Sequence, residues 1–434
     1  MLFRSLHPAI ANLSPDRLAK GLYWQRSWNV VTGCSHVSPG CDNCWCEREA
    51  ARMARHPNPK ISGRFDHAIV DGKWSEIVRL NDEALDLPLR TRKPTVFAVW
   101  TDLFHPGLDF EDIDKVFAVM ALAPQHLFLV LTKRPDEMCA YLTQHGGDSA
   151  HWADHFADVA YRVCGHSDNA ECVVANAING MLARGHNVGW PMRHVILMTT
   201  IENQPWADDR MPHMMELAGM GWQTGVSIEP MLGPVNLDYI YPASSKEPSK
   251  TCGTPWGHKI SALHGTVSTG PGGPKAGRCE YGRLSWVIVG GESGPHARPM
   301  HPNWVRSLRD QCQAAGVPYF MKQWGEWMPK CCVAYYKENG REYPKSEGRA
   351  ILNDGRCCLL DPPVNPSESY LKKRGLPLDL ESGRSVVADS KAYADAHKIG
   401  LEKLGYQWMY RVGKHAAGRL LDGQTHDAFP EIKA

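Results

Sequence analysis

Cys34, Cys41 and Cys44 stand in the spacing C-x6-C-x2-C within WNVVTGCSHVSPGCDNCWCE (residues 28–47), where Gly33, Ser38, Pro39 and Gly40 supply turns that wrap a backbone around a small centre. Three thiolates can ligate three irons of a four-iron (4Fe-4S) cluster and leave the fourth open, as a catalytic centre requires. The same sulfurs can instead hold a structural zinc ion, closed by Cys46 or His36; placed in a helix, Cys46 is left outside the ligand set. A second set of chemistry-bearing residues recurs where apolar runs end: Asp102, Lys133, Arg134, Glu202, Asn203, Glu229, Gly290, Gly291, Glu292, Ser293 and Lys322. Lys133, Arg134, Glu202, Glu229 and Lys322 are expected as catalytic residues, the first two also suiting a substrate phosphate. Asp102, Asn203, Gly290, Gly291, Glu292 and Ser293 are expected to bind a cofactor, the glycines by letting it approach the backbone. The opposing possibility is that these charges are buried ion pairs in a barrel mouth.

The elements that must position these residues follow from hydropathy. SWNVVT (27–32) predicts a strand that delivers the cysteine loop, with Asp42 capping a helix that runs to Pro57. TVFAVW (95–100), HLFLVL (126–131), VILMTT (195–200), WQTGVSI (222–228), WVIV (286–289) and VPYFM (317–321) are short, largely apolar runs, the pattern of strands buried on both faces. Between them, Ile113, Val116, Phe117, Met120 and Ala121 share a helix face, Pro135 opens another helix, and Val305, Leu308, Cys312 and Ala315 line a third that Gly316 stops. WSEIVRLNDEALDL (74–87) is expected as one further helix. Alternation of this kind predicts an α/β fold, a partial or complete parallel (β/α) barrel whose strand ends converge on one face. The expected division is a leader (1–26), a barrel domain (27–327) with insertions at 141–190 and 241–283, and an irregular C-terminal extension (328–434).

Lys plus Arg (48) balances Asp plus Glu (47), so no global field selects nucleic acid or an anionic membrane as partner. No apolar run approaches a membrane span and no signal core is evident, which points to a cytoplasmic protein with no membrane partner. In a reducing compartment the fourteen cysteines do not form a disulfide framework. Cys139 and Cys312 fall in helical patterns and are expected as small buried apolar residues. Cys252, His258, His264 and Cys279 are spaced irregularly, and Cys331, Cys332, Cys357 and Cys358 are adjacent pairs; neither set is expected to bind metal. Trp324 and Trp327 are expected in the core rather than as stacking platforms.

WNVVTGCSHVSPGCDNCW, DLFHP (102–106), FAVMALAPQHLFLVLTKRP (117–135), IEN (201–203), SIEPMLGPV (227–235), VIVGGESGPHARPMHPNWVRSLRDQCQAAGVPYFMKQWGEW (287–327) and RVGKHAAGRLLDGQTHDAFP (411–430) together resemble the phage and prophage family of gene product 37 / gene product 68. That family is in turn similar to the radical S-adenosylmethionine (SAM) enzymes, which carry a three-cysteine loop after the first strand of a partial barrel. The resemblance implies a 4Fe-4S cluster on Cys34, Cys41 and Cys44, SAM at the strand ends, and a deoxyadenosyl radical that abstracts hydrogen. It also implies an electron donor such as a flavodoxin or ferredoxin, and a nucleoside or nucleic-acid substrate. Two other functions are open: a zinc-stabilised phage binding protein without catalysis, and a metal-assisted hydrolase or nuclease using Asp102, Glu202 and Glu229.

Overall fold

Strands that are apolar at successive positions need cover on both faces, and here each has it. The computed structural model describes residues 7–99, 101–144, 191–242, 259–268, 281–329, 348–352, 357–360 and 406–432. Seven strands, β1 (Arg26–Trp28), β2 (Val96–Val99), β3 (Leu127–Thr132), β4 (Val195–Thr200), β5 (Gln223–Ile228), β6 (Trp286–Gly290) and β7 (Tyr319–Gln323), pair in parallel in chain order. Each neighbours the next, and β1 does not pair with β7. The sheet is therefore a partial (β/α) barrel, with its C-terminal strand ends on one rim.

Alternate residues divide the core in two. Phe97, Phe128, Val130, Leu197, Val226 and Val287 face an outer layer built with α2 (Phe110–Leu122), α4 (Gln204–Gly219) and α5 (Pro302–Ala315). Val96, Leu127, Leu129, Ile196, Met198, Ile288 and Phe320 face inward, where Ala9, Ile10, Leu13 and Tyr23 from the N-terminal segment close over them. The helix faces expected from spacing are buried, and Gly316 ends α5 in the left-handed region at φ +64°.

Several expectations need correction. The predicted strand 27–32 splits, because Val31–Thr32 leaves the sheet to pair antiparallel with Arg79–Leu80. That pairing also breaks the predicted helix 74–87: Lys73–Trp74 and Arg79–Leu80 are strands, and only Asp82–Leu85 is helical. Asp42 does not cap the first long helix; α1 (Trp45–Ala54) begins after Cys44, and Asp42 pairs instead with Arg298 and His36. The extension expected to be irregular contains a four-stranded antiparallel sheet of Trp327–Pro329, Gly348–Leu352, Cys357–Leu360 and Tyr406–Arg411. Trp327–Pro329 and Tyr406–Arg411 lie far apart in sequence, so no local turn signal announces their pairing. Within the expected lid at 241–283, Lys259–Ser261 and Thr266–Ser268 form a hairpin, and His264 faces Asp238 at 3.8 Å. Cys252, His258, Cys279, Cys331, Cys332 and most of the 141–190 insertion lie outside the described residues, although α3 (Pro135–Gln144) enters it.

The last residues run back onto the barrel. Phe320 and Asp427 form an antiparallel bridge, Met321 N donates to His426 O at 2.9 Å, and the buried Arg419 donates from Nε to Met321 O at 3.0 Å and from Nη1 to Leu18 O at 2.9 Å. The free edge of β7 is thereby covered. No helix among the described residues is long and apolar enough to cross a membrane.

Candidate functional site

Because β1 ends at Trp28 and the chain turns away to pair elsewhere, the cysteine loop is thrown over the strand-end rim. Gly33 makes the turn at φ +99°, and a Cβ there would lie 2.1 Å from Ile77 O. A short 3-10 turn, Pro39–Cys41, then brings the chain to Cys44 at the head of α1. Cys34, Cys41, Cys44 and Cys46 all line one cavity of about 260 Å³, floored by the inward residues Ala98, Leu129, Leu131 and Met198.

The strand-end charges grip this loop. Glu202 is fully buried; its Oε1 accepts from Ser38 Oγ at 2.6 Å and pairs with Lys133 Nζ at 2.9 Å, and its Oε2 pairs with Arg210 at 3.2 Å. Asp102 accepts from Thr132 Oγ1 at 2.6 Å and pairs with Arg134 at 2.5 Å, and Arg134 donates on to Ser35 Oγ at 2.6 Å. Ser35 Oγ also meets His105 Nε2 at 2.8 Å. Glu292 binds Arg298 through both oxygens, and Arg298 reaches the loop at Pro39 O (2.7 Å) and Asp42 (3.1 Å). Three ion pairs from different strand ends thus hold the loop at Ser35, Ser38, Pro39 and Asp42. The fourth, Glu229 with Lys322 at 3.0 Å, stands apart from it, with Tyr23 and Ser227 hydroxyls donating to Glu229 Oε2 at 3.2 and 3.0 Å.

The four thiols are electrostatically unequal. Burial, reinforced by Asp102 and opposed by Arg134, pushes the Cys34 thiol up to about 12. Burial alone would raise Cys41 too, but Lys133, whose Nζ lies 3.4 Å from Sγ, takes it below the ordinary thiol value with help from backbone hydrogen bonds at Val37 and Ser38. Burial raises Cys44, and raises Cys46 much further with Cys44 and Cys34 as neighbouring charges. Cys46 is a helix residue as expected, yet its thiol shares the cavity with the other three.

The expected site residues divide accordingly. Asp102, Lys133, Arg134, Glu229, Gly291, Glu292, Ser293 and Lys322 line the cavity with the cysteines. Glu202, Gly290 and Asn203 do not. Asn203 caps α4, its Oδ1 accepting from Trp206 N at 3.4 Å. Both glycines are tightly packed: a Cβ on Gly290 would meet Glu229 Oε1 at 2.5 Å, and one on Gly291 would meet Trp324 O at 2.0 Å. Lys133, Arg134 and Lys322 each have a carboxylate partner, so the ion-pair alternative describes their geometry. Trp324 and Trp327 are buried and donate to Leu420 O and Ala297 O, as a core role requires. Arg298, Arg210, Ser35, Ser38, His105 and Tyr23 were not legible as site residues; Arg298 lies outside any periodic element and Ser38 looks like an ordinary turn residue.

Among the described residues, three metal-ligating atoms come within 4.8 Å of one another only at Cys139, His213 and Glu216. No three of the loop thiols come within 4.8 Å of one another, whereas tetrahedral zinc sets its sulfurs roughly 3.8 Å apart. A cluster, being larger than one ion, accepts such a spread.

Residues 20–430 match the family model described as "Protein of unknown function (DUF5131)". The chain belongs to this family. No curated protein and no solved structure matches it.

Proposed function

We propose that this DUF5131 protein is an iron-sulfur, SAM-dependent radical enzyme in which Cys34, Cys41 and Cys44 hold a 4Fe-4S cluster. One observation carries the reading: three thiols, not all within 4.8 Å of one another, line a half-open cavity on the strand-end rim of a parallel partial barrel, in a loop gripped by ion pairs from three strands. When bound, a cluster with one open iron supplies the single electron that cleaves the sulfonium bond of SAM. The chain's own part is positional and electrostatic. Lys133 beside Cys41 and Arg134 beside Cys34 offset the negative charge that thiolate ligation brings. Deeper in the cavity, Gln323 Oε1 is buried without a hydrogen-bond partner and Glu229 Oε1 has only the Lys322 ammonium, so both suit a ligand bearing N–H or O–H donors.

A nucleoside or nucleic acid is the favoured substrate class. Trp45, 55% exposed, stands at the cavity mouth; Arg48 and Arg52, the latter paired with Glu49, follow it at helical spacing along α1, and Arg55 caps the helix. The likeness to phage gene products points the same way, and a flavodoxin or ferredoxin would donate the electron.

Protein reconstituted anaerobically with iron and sulfide should show the broad visible absorption of a 4Fe-4S cluster and convert SAM to 5′-deoxyadenosine with dithionite. Both properties should vanish in C34A/C41A/C44A; their survival in that variant, or their absence from the wild type, rejects the assignment. A zinc-stabilised binding protein is the second reading, favoured by the Cys46 thiol beside Cys34 and Cys44. One tightly held zinc in this loop and no iron after anaerobic purification selects it. A hydrolase built on Asp102, Glu202 and Glu229 fits less well, because each carboxylate already has a cationic partner.

A further inference from the structure

The outer helical layer carries a second constellation that the cavity does not use. His213 and Glu216 stand three residues apart on α4, one helical turn, which puts them on the same face. Cys139 on α3, which packs against α4, completes a set whose ligand atoms all lie within 4.8 Å of one another. Cys139 is 6% exposed and the other two are half-buried. None of the three lines the cavity.

We propose that Cys139, His213 and Glu216 form a zinc site that staples α3 to α4. The donor set selects the metal: a thiolate, an imidazole and a carboxylate suit zinc, whereas magnesium and calcium prefer oxygen alone. Charge also balances, since one thiolate and one carboxylate neutralise a divalent ion, the thiol proton leaving to solvent. Zinc bonds of about 2.0 to 2.3 Å set neighbouring ligand atoms less than 4.8 Å apart, a spacing the three atoms reach with at most a small side-chain rotation. The fourth position is left to water. The location gives the site a purpose: α3 starts immediately after Lys133 and Arg134, and α4 starts two residues after Glu202. The staple therefore braces the two strand ends whose charges hold Ser35 and Ser38 of the cysteine loop.

The test compares full-length wild type with His213→Ala and Cys139→Ala, each incubated with zinc chloride, freed of excess by gel filtration and assayed for zinc. Wild type should retain one more zinc per chain than either variant, and the variants should keep the wild-type circular dichroism spectrum. With cobalt chloride, wild type should gain a near-ultraviolet thiolate-to-cobalt band that His213→Ala weakens and a C34A/C41A/C44A/C46A variant retains. Equal zinc in all three proteins, or a cobalt band that disappears with the loop cysteines and ignores Cys139 and His213, overturns the proposal. Neither result bears on whether the loop holds a cluster, so the two assignments fail separately.

Discussion

Cys41 is the most readily ionised thiol of the loop, since burial raises its neighbours while at this one the Lys133 ammonium 3.4 Å away and backbone hydrogen bonds at Val37 and Ser38 together outweigh burial. In metal-free protein, Cys41 should react with iodoacetamide first. Lys133→Met should slow that reaction at neutral pH by roughly an order of magnitude, read by mass spectrometry of the Cys41 peptide. Cys34, held near 12, should label slowly in both proteins. At this scale the sequence was half transparent. The charged residues at strand ends were visible because each interrupts an apolar run, and the cysteines by their spacing. Their partners were not, because Arg298 joining Glu292 to Pro39 and Asp42, or Ser38 joining Glu202, is a contact between distant strand ends. No local pattern encodes it.

At the scale of elements, β4 and α4 meet at Glu202, where Ser38, Lys133 and Arg210 converge on a carboxylate without solvent contact. Removing one member of a buried charge set leaves the others uncompensated, so Glu202→Ala should lower stability by about 3–5 kcal/mol, seen as a lower urea midpoint. Gly291→Ala places a methyl against Trp324 O where β6 gives way to its loop, and should cost about 1–3 kcal/mol by thermal unfolding. His194, at the foot of β4, donates from Nε2 to Met120 O of α2 at 2.8 Å. Burial holds its pKa down to about 4, so the folded protein keeps it neutral while the unfolded chain protonates near the usual value of about 6.5. Its contribution is intact above about pH 6.5 and is lost as pH falls toward 4, by roughly tenfold in the folding equilibrium per pH unit. His194→Asn should flatten that part of the stability profile. Strands β2 to β7 were legible because burial on both faces writes a continuous apolar run. The segment 74–87 was misjudged because helix-forming residues there are overridden by the pairing of Arg79–Leu80 with Val31–Thr32, a tertiary effect that local propensity does not contain.

For the molecule as a whole, residues 9–23 and 419–428 are structural. Ala9, Ile10, Leu13 and Tyr23 fill the inner face of the barrel, and residues 426–428 shield β7 along its outer edge. Deleting residues 412–434 should uncover that edge and the inner core beside Phe429, giving a protein that self-associates, measured by light scattering after gel filtration. Arg419→Ala is the milder test, because it removes the donors that join Met321 to Leu18 and leaves the backbone bridge in place. It should lower the thermal midpoint without changing the oligomeric state.

The return of the tail to β7 also governs when the molecule can exist. A strand edge near residue 320 finds its cover, among the described residues, in residues 426–428, about a hundred positions further along the chain. Folding can begin with the first strands during synthesis, but the edge of β7 stays without this cover until residues 426–428 have been made. A nascent chain stalled before residue 426 would carry every cysteine of the loop and still lack the cover on β7.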